Sequence, residues 1–176
     1  LDKDGHVWKG SLNNDKIEKF IKTGSVKNIQ ISNNFIYGTD KSGKLYKHNL
    51  DGSGKWEQIS QVITNHVFTI HNSIIYTISD GRLATMGLNS SNMNLGAKAD
   101  AKDLFVLNNK IYMITNKGNL LERNINAAIR DDWKHLPGDN LSHLYGYEKY
   151  IYITKNKDIL KINTNGNKLE ESVLNT

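Results

Sequence analysis

The stretch NNFIYGTDKSGKLYKHNL, Asn33 to Leu50, sets two short apolar and aromatic runs on either side of a polar, glycine-containing turn. The same arrangement recurs along the chain. Gly5, Gly43, Gly81 and Gly118 follow one another at intervals of 38, 38 and 37 residues, and Asp158 comes 40 later. Two residues after each stands an aliphatic side chain, Val7, Leu45, Leu83, Leu120 and Leu160, as a buried strand position requires. The turns KDGH, KSGK, SDGR and NKGN place glycine where a tight hairpin needs positive φ, and KNKD is expected to use Asn156 for it.

Upstream of the turn an Ile-Tyr pair repeats as Ile36-Tyr37, Ile75-Tyr76, Ile111-Tyr112 and Ile151-Tyr152. Six residues before each Tyr lie Ile31, Ile70, Val106 and Gly146, and eight before lie Ile29, Phe68, Leu104 and Leu144. Spacing of two is the mark of a strand. A further marker, Ile17, Trp56, Leu95, Trp133 and Leu169, is expected to open a short last strand. Each unit therefore contains strands a to d, which in the best preserved copy read VKNIQIS, FIYGTDK, KLYKHNL and WEQIS.

A four-stranded antiparallel meander of under 40 residues leaves apolar groups on both faces, so its copies have to stack. The period and the strand count predict an all-β chain of β-propeller blades. Helical repeats of similar period are disfavoured by the spacing of two, the short segments and the crowding of β-branched and aromatic residues. Residues 25–62, 66–97, 102–138 and 141–175 form four complete blades of one domain spanning 1–176, with a partial blade at 1–22 that lacks strand a. The expectation is a five-bladed propeller or part of a larger one, whose missing strand comes from further sequence or from another chain, since an open edge invites aggregation. The chain opens on Leu1 in place of Met, which fits a processed or excised segment.

Composition narrows the classes. Across 176 residues, 38% hydrophobic and 23% charged content is that of an ordinary folded domain. No run of about 18 apolar residues is present, so no membrane-spanning helix is expected, and LDKDGHVWKG lacks the order of a signal peptide. The lack of cysteine removes disulfides and thiolate metal sites without fixing a compartment; a secreted or cell-surface setting is favoured. The +5 charge is carried by scattered lysines, which argues for a solvated surface and against a nucleic-acid partner.

The repeat, with an inner strand of the VxxIxI type, IYxxxxxGxLY, a polar loop and a Trp opening the last strand, resembles the tectonin and tachylectin-2-like β-propeller lectins. That resemblance covers the whole chain and implies sugar sites between blades. The sequence departs from the pattern where Ile17, Leu95 and Leu169 replace the Trp of Trp56 and Trp133. The DGSGK loop is also similar to propeller repeats that serve as scaffolds or receptor-like modules.

In this strand order the a–b and c–d loops share one end of the blades. The loops LNND, SNN, LDGSGK, HNS, LNSSNMN, LNNK, NINAAIRDD and NTNGNK are rich in Asn, Ser and Asp. Carboxamides donate and accept, which suits paired sugar hydroxyls, although Asn and Gly also fill tight turns. Asn33, Asn34, Asn72, Asn108 and Asn109 are the candidates from these loops. The repeated Tyr37, Tyr76, Tyr112 and Tyr152 are expected to wedge between blades with their hydroxyls in structural hydrogen bonds. Trp56 and Trp133 are candidates at the loop end with a competing structural role. Trp8, Tyr46, Ala84, Leu121 and Lys161 share a column of variable chemistry, which makes Trp8 and Tyr46 the better binding platform.

Catalysis has no sequence support. The six His residues occupy unrelated repeat positions, and His66 and His71 point to opposite faces. Asp2-Lys3-Asp4-Gly5 opens like a calcium loop but lacks its closing acid, so no metal and no cofactor is expected. Asp131-Asp132 and Glu170-Glu171 are adjacent and cannot converge on one bond. The expectation is a non-catalytic module that binds glycans through several weak sites, or alternatively a protein-interaction or receptor-binding scaffold within a larger protein or toxin.

Overall fold

The computed structural model describes residues 1–11, 13–21, 24–59, 67–127, 133–156, 158–164 and 168–170, with the side chains of 14, 15 and 168–170 left aside. Leu12, His66, the Asp131-Asp132 pair, Glu171, the middle of NTNGNK and the end of NINAAIRDD lie outside these residues. Among the described residues there is no helix, and none that could cross a membrane. The fold class is a β-propeller built from four-stranded antiparallel sheets with one extra two-stranded sheet.

The chain falls into two compact units. The first comprises residues 1–66 with 86–93. It holds β1 (Val7–Ser11) paired with β2 (Asn14–Ile21), and the sheet of β3 (Ile29–Ser32), β4 (Phe35–Thr39), β5 (Leu45–Asn49) and β6 (Glu57–Gln58). The second comprises residues 67–85 with 94–176. Its first sheet contains β7 (Phe68–His71), β8 (Ile74–Ser79), β9 (Arg82–Gly87) and β10 (Asn94–Lys98), with β9 running on into the first unit at Met86. The next consists of β11 (Ala101–Leu107), β12 (Lys110–Thr115), β13 (Leu120–Asn124) and β14 (Lys134–Leu136). The last consists of β15 (Leu141–Tyr147), β16 (Tyr150–Lys155), β17 (Asp158–Asn163) and β18 (Lys168–Glu170).

Neighbouring residues in a strand face opposite ways, and this explains the Ile-Tyr pair. Ile111 and Met113 pack back onto Tyr76, Ile78 and Leu83 of the preceding sheet. Tyr112, Ile114 and Leu120 pack forward onto Leu144, Ile151, Ile153 and Ile162 of the following one. One residue thus serves each interface. In the first unit Val7 and Ile21 meet Val26 and Ile36 in the same manner.

The turn glycines do more than turn. Gly5, Gly43, Gly81 and Gly118 all have positive φ, and Asn156 supplies it at 57° in the last sheet, as KNKD implied. The carbonyls of Gly5, Gly81 and Gly118 then accept hydrogen bonds from Val26, three residues ahead of β3, and from Ala101 and Leu141, the first residues of β11 and β15, at 3.0, 3.1 and 3.1 Å. A Cβ on Gly118 would stand 2.9 Å from the Asn140 backbone, and one on Gly5 would overlap the Val26 carbonyl. Gly146 marks another close approach, because the Phe105 ring lies where its side chain would be.

Register corrects the alignment of the last repeat. In β12–β13 Ile114 faces Leu120, whereas in β16–β17 Thr154 faces Ile159 and Ile153 faces Leu160. The turn after Lys155 is one residue shorter, so Ile159 takes the position assigned to Leu160. Lys161 then stands opposite Tyr152, as Glu122 stands opposite Tyr112 and Lys47 opposite Tyr37, and leaves the column of Trp8. The last-strand marker is also offset: Trp56 and Trp133 immediately precede β6 and β14, while Ile17 lies within β2.

A polar layer crosses these sheets. Glu122 is buried and receives Lys110 Nζ at 3.2 Å and Lys134 Nζ at 3.0 Å. In the β3–β6 sheet the same cross-strand pair is reversed, with Lys47 on β5 and Glu57 on β6 at 3.2 Å. The Tyr112 hydroxyl is buried with no partner among the described residues, contrary to the structural hydrogen bond expected of it. Burial first, and the Glu122 charge second, push it up to about 12.

Two substitutions test this architecture. Gly118→Ala combines a positive φ with a backbone collision and is expected to cost about 2–4 kcal/mol, while Gly54→Ala, which meets only the flexible Asn49 amide, costs about 1 kcal/mol. Denaturant melts of both variants separate the two effects. Tyr112→Phe removes an unpaired buried hydroxyl and is expected to be neutral or stabilising by up to about 1 kcal/mol at pH 7. Because the folded phenol titrates above the unfolded one, wild-type stability falls as pH rises from about 10 to 12, by roughly 1–3 kcal/mol from this group. The Phe variant should show a correspondingly flatter decline in urea midpoint over that range.

Candidate functional site

The candidate aromatics separate into two kinds. Trp8 and Tyr46 follow b–c turns of the same design. Asp2 Oδ1 accepts the Asp4 and His6 amides and Oδ2 accepts Trp8 Nε1–H at 2.8 Å. Asp40 Oδ1 accepts from Ser42 and Lys44, and its Oδ2 accepts the Tyr46 hydroxyl at 3.2 Å. The Trp8 indole and then the His6 amide hold the Asp2 carboxyl well below the usual carboxylate range. Asp40 is lowered too, its hydrogen bonds outweighing the opposing effect of burial. The polar ends of Trp8 and Tyr46 therefore brace turns. In the rest of their column Ala84 and Leu121 are buried, so the variable chemistry there reflects packing as well as exposure.

Asp2, Asp4 and His6 bring three ligand-type atoms within 4.8 Å of one another. Both Asp2 oxygens are already engaged in the turn, with His6 Nδ1 at 3.0 Å from Oδ2, which accounts for the cluster.

Trp56 and Trp133 sit in seams between sheets. Trp56 lies edge-on to His48 at 5.2 Å and packs beside Val7, Ile21, Val26 and Ile36, close against Gly24. With Tyr46 and Asp40 it lines a pocket of about 180 Å³. Trp133 packs beside the cluster of Tyr76, Leu104 and Leu121 under the Arg123 guanidinium, 5.3 Å from its ring. Arg123, whose Nη2 donates to the Ala127 carbonyl, also borders a pocket of about 190 Å³ between neighbouring sheets, with Tyr76, Leu95 and Ile125.

Of the asparagines, Asn33, Asn72, Asn108 and Asn109 have φ between 49° and 58° and form a–b turns. Asn108 Nδ2 donates to Thr164 Oγ1 and Asn109 Oδ1 lies 3.3 Å from His71 Nε2, so both also tie sheets together. Asn34 differs. With Phe35, Asn49, Leu50 and Asp51 it lines a depression of about 500 Å³ at the a–b and c–d end of its sheet. Tyr46 stands at the other end of that sheet, about 15 Å of strand away, so the structure does not gather the candidate residues into one site.

A further aromatic surface lies elsewhere. On β15–β16 Tyr145 pairs with Tyr152 and Tyr147 with Tyr150, a two-by-two lattice on one face of the hairpin. Tyr145 is 59% and Tyr147 66% exposed. The ammonium groups of Lys161 and Lys149 lie 3.7 and 5.5 Å from the Tyr150 ring. In the preceding sheet the matching Phe105 and Leu107 are packed beneath β15–β17. The sequence carried the signal: LYGYEKYIYI spaces tyrosines by two on both sides of a turn, which places all four on one face.

No protein-family model matches the chain, and no curated protein matches it. Solved structures do. The chain is similar to one in a nidogen/laminin complex, with 15% identity and a TM-score of 0.73, over 93% of this chain and 70% of that one. It is similar to YCF48 bound to D1 peptide, with 14% identity and a TM-score of 0.59, over 86% of this chain and 54% of that one. Similarity to BamB from Moraxella catarrhalis spans 100% of this chain and 57% of that one, with 13% identity and a TM-score of 0.51. At these identities the shared property is the β-propeller fold, and the chain spans little more than half of the last two proteins' chains.

Proposed function

We propose that this chain is a non-catalytic protein-interaction module that engages its partner through the tyrosine lattice of β15–β16. The observation that carries the reading is the exposure of Tyr145 and Tyr147 beside their cross-strand partners, on the face that the preceding sheet buries. Tyrosine offers a large amphipathic contact area for little loss of side-chain freedom, and it is enriched at protein interfaces. The solved complexes of similar fold, one with laminin and one with a D1 peptide, favour a macromolecular ligand.

A second reading keeps the tectonin or tachylectin-2-like function, glycan binding. It is favoured by the depression that Asn34, Asn49 and Asp51 line together with Phe35 and Leu50. The Asn49 amide already donates to Ser53 Oγ, and Asp51 Oδ1 accepts the Ser53 amide, which leaves Asn34 the main donor for a sugar hydroxyl.

Paired screens on a glycan array and an immobilised peptide and protein library test the two. The expected result is peptide or protein ligands whose binding weakens tenfold or more with Tyr145→Ser/Tyr147→Ser, at a Tm close to wild type because both residues are exposed. Glycan ligands lost with Asn34→Ala/Asn49→Ala and indifferent to the tyrosine changes would replace the first reading by the second.

A further inference from the structure

We propose that the pocket between the β7–β10 and β11–β14 sheets binds a short aliphatic carboxylate, whose charged end meets the Arg123 guanidinium. This does not depend on the tyrosine lattice, and the residues that line the pocket all belong to the second unit. Among the described residues, Ile74, Tyr76 and Ile125 give it apolar walls, and Thr85 and Asn94 add polar groups.

Two departures from the repeat meet in this pocket. The first removes a side chain. Thr85 pairs with Asn94 as Glu122 pairs with Lys134, and two residues after Lys134 the buried Leu136 packs with Leu144 and Ile153 of the following sheet. Two residues after Asn94 stands Gly96, which brings no side chain to the seam and lines the pocket. The second departure adds a charge. Arg123 lies opposite Ile111, as His48 lies opposite Ile36 and Ile162 opposite Ile151. Met86 follows Gly81 by five residues, as Arg123 follows Gly118, and His48, Met86 and Ile162 are all buried. The fold therefore does not ask for an arginine in this column. Arg123 is buried as well, and a buried charge costs free energy that an apolar side chain there would not. The Trp133 ring at 5.3 Å and the Ala127 carbonyl, which accepts from Nη2, hold the plane of the guanidinium at the pocket wall. A planar guanidinium held in place binds a carboxylate through two parallel hydrogen bonds. A volume of about 190 Å³ slightly exceeds the roughly 150 Å³ that accepts benzene, so it suits an acid with about four to six carbons.

The probes are isocaproate and its uncharged amide, isocaproamide, titrated into the intact chain and followed by amide NMR. Saturable shifts are expected at Ile74, Gly96, Arg123 and Ile125, with a rise in Tm, and isocaproamide should bind tenfold more weakly or worse. Arg123→Met introduces the residue type that the β7–β10 sheet carries at Met86, so it is expected to keep a Tm close to wild type while losing saturable isocaproate binding. An acetylated tripeptide ending in leucine presents the same chemistry on a chain terminus. Tighter binding of the peptide assigns the site to a C-terminus, and tighter binding of isocaproate assigns it to a free acid. No saturable shift with either acid, equal binding of the amide, or undiminished binding by Arg123→Met would overturn the proposal. The amide comparison needs no variant and decides the matter even where Arg123→Met fails to fold.

Discussion

The fold depends on a close approach between a hairpin turn and the start of the next sheet. The carbonyls of Gly5, Gly81 and Gly118 accept the amides of Val26, Ala101 and Leu141, and the turn comes near enough only because it carries no side chain there. Two requirements meet at one residue: a left-handed backbone for the turn and an open space for the neighbour. That coincidence explains why glycine is the sharpest marker of the repeat. At these three junctions it also fixes where one sheet begins relative to the last, and so brings their apolar rows into register for packing.

Given that register, each narrow sheet divides its work by parity. Ile111 and Met113 serve one interface, Tyr112 and Ile114 the other. The polar layer beside Tyr112 is less strict. Glu122 with Lys134, Lys47 with Glu57 and Thr85 opposite Asn94 occupy equivalent places, so the fold asks for compatible neighbours and accepts either charge order. Apart from the buried Glu122 these groups are partly exposed, and ion pairs open to solvent add little net stability, which fits this freedom.

The same economy separates scaffold from function. Trp8 and Tyr46 brace turns, Trp56 and Trp133 fill seams, and four of the candidate asparagines set left-handed turns. These residues look like binding groups in a sequence because binding and turn-making draw on the same side chains. Among the described residues a tyrosine face on β15–β16 stays exposed, whereas the matching face of the preceding sheet is covered by β15–β17.

The sequence alone determined the strand order, the blade period and the two-sided packing, because glycine turns and alternating Ile-Tyr pairs are local consequences of backbone geometry. It also located the left-handed Asn156. Tertiary structure decided the rest. A turn one residue shorter moved Ile159 and Lys161 out of their aligned columns, which spacing from a marker cannot reveal. Burial left the Tyr112 hydroxyl without a partner among the described residues and made Ala84 and Leu121 interior. Exposure is a property of what lies across from a residue, and four tyrosines of one hairpin became a surface only once the sheets beside them were in place.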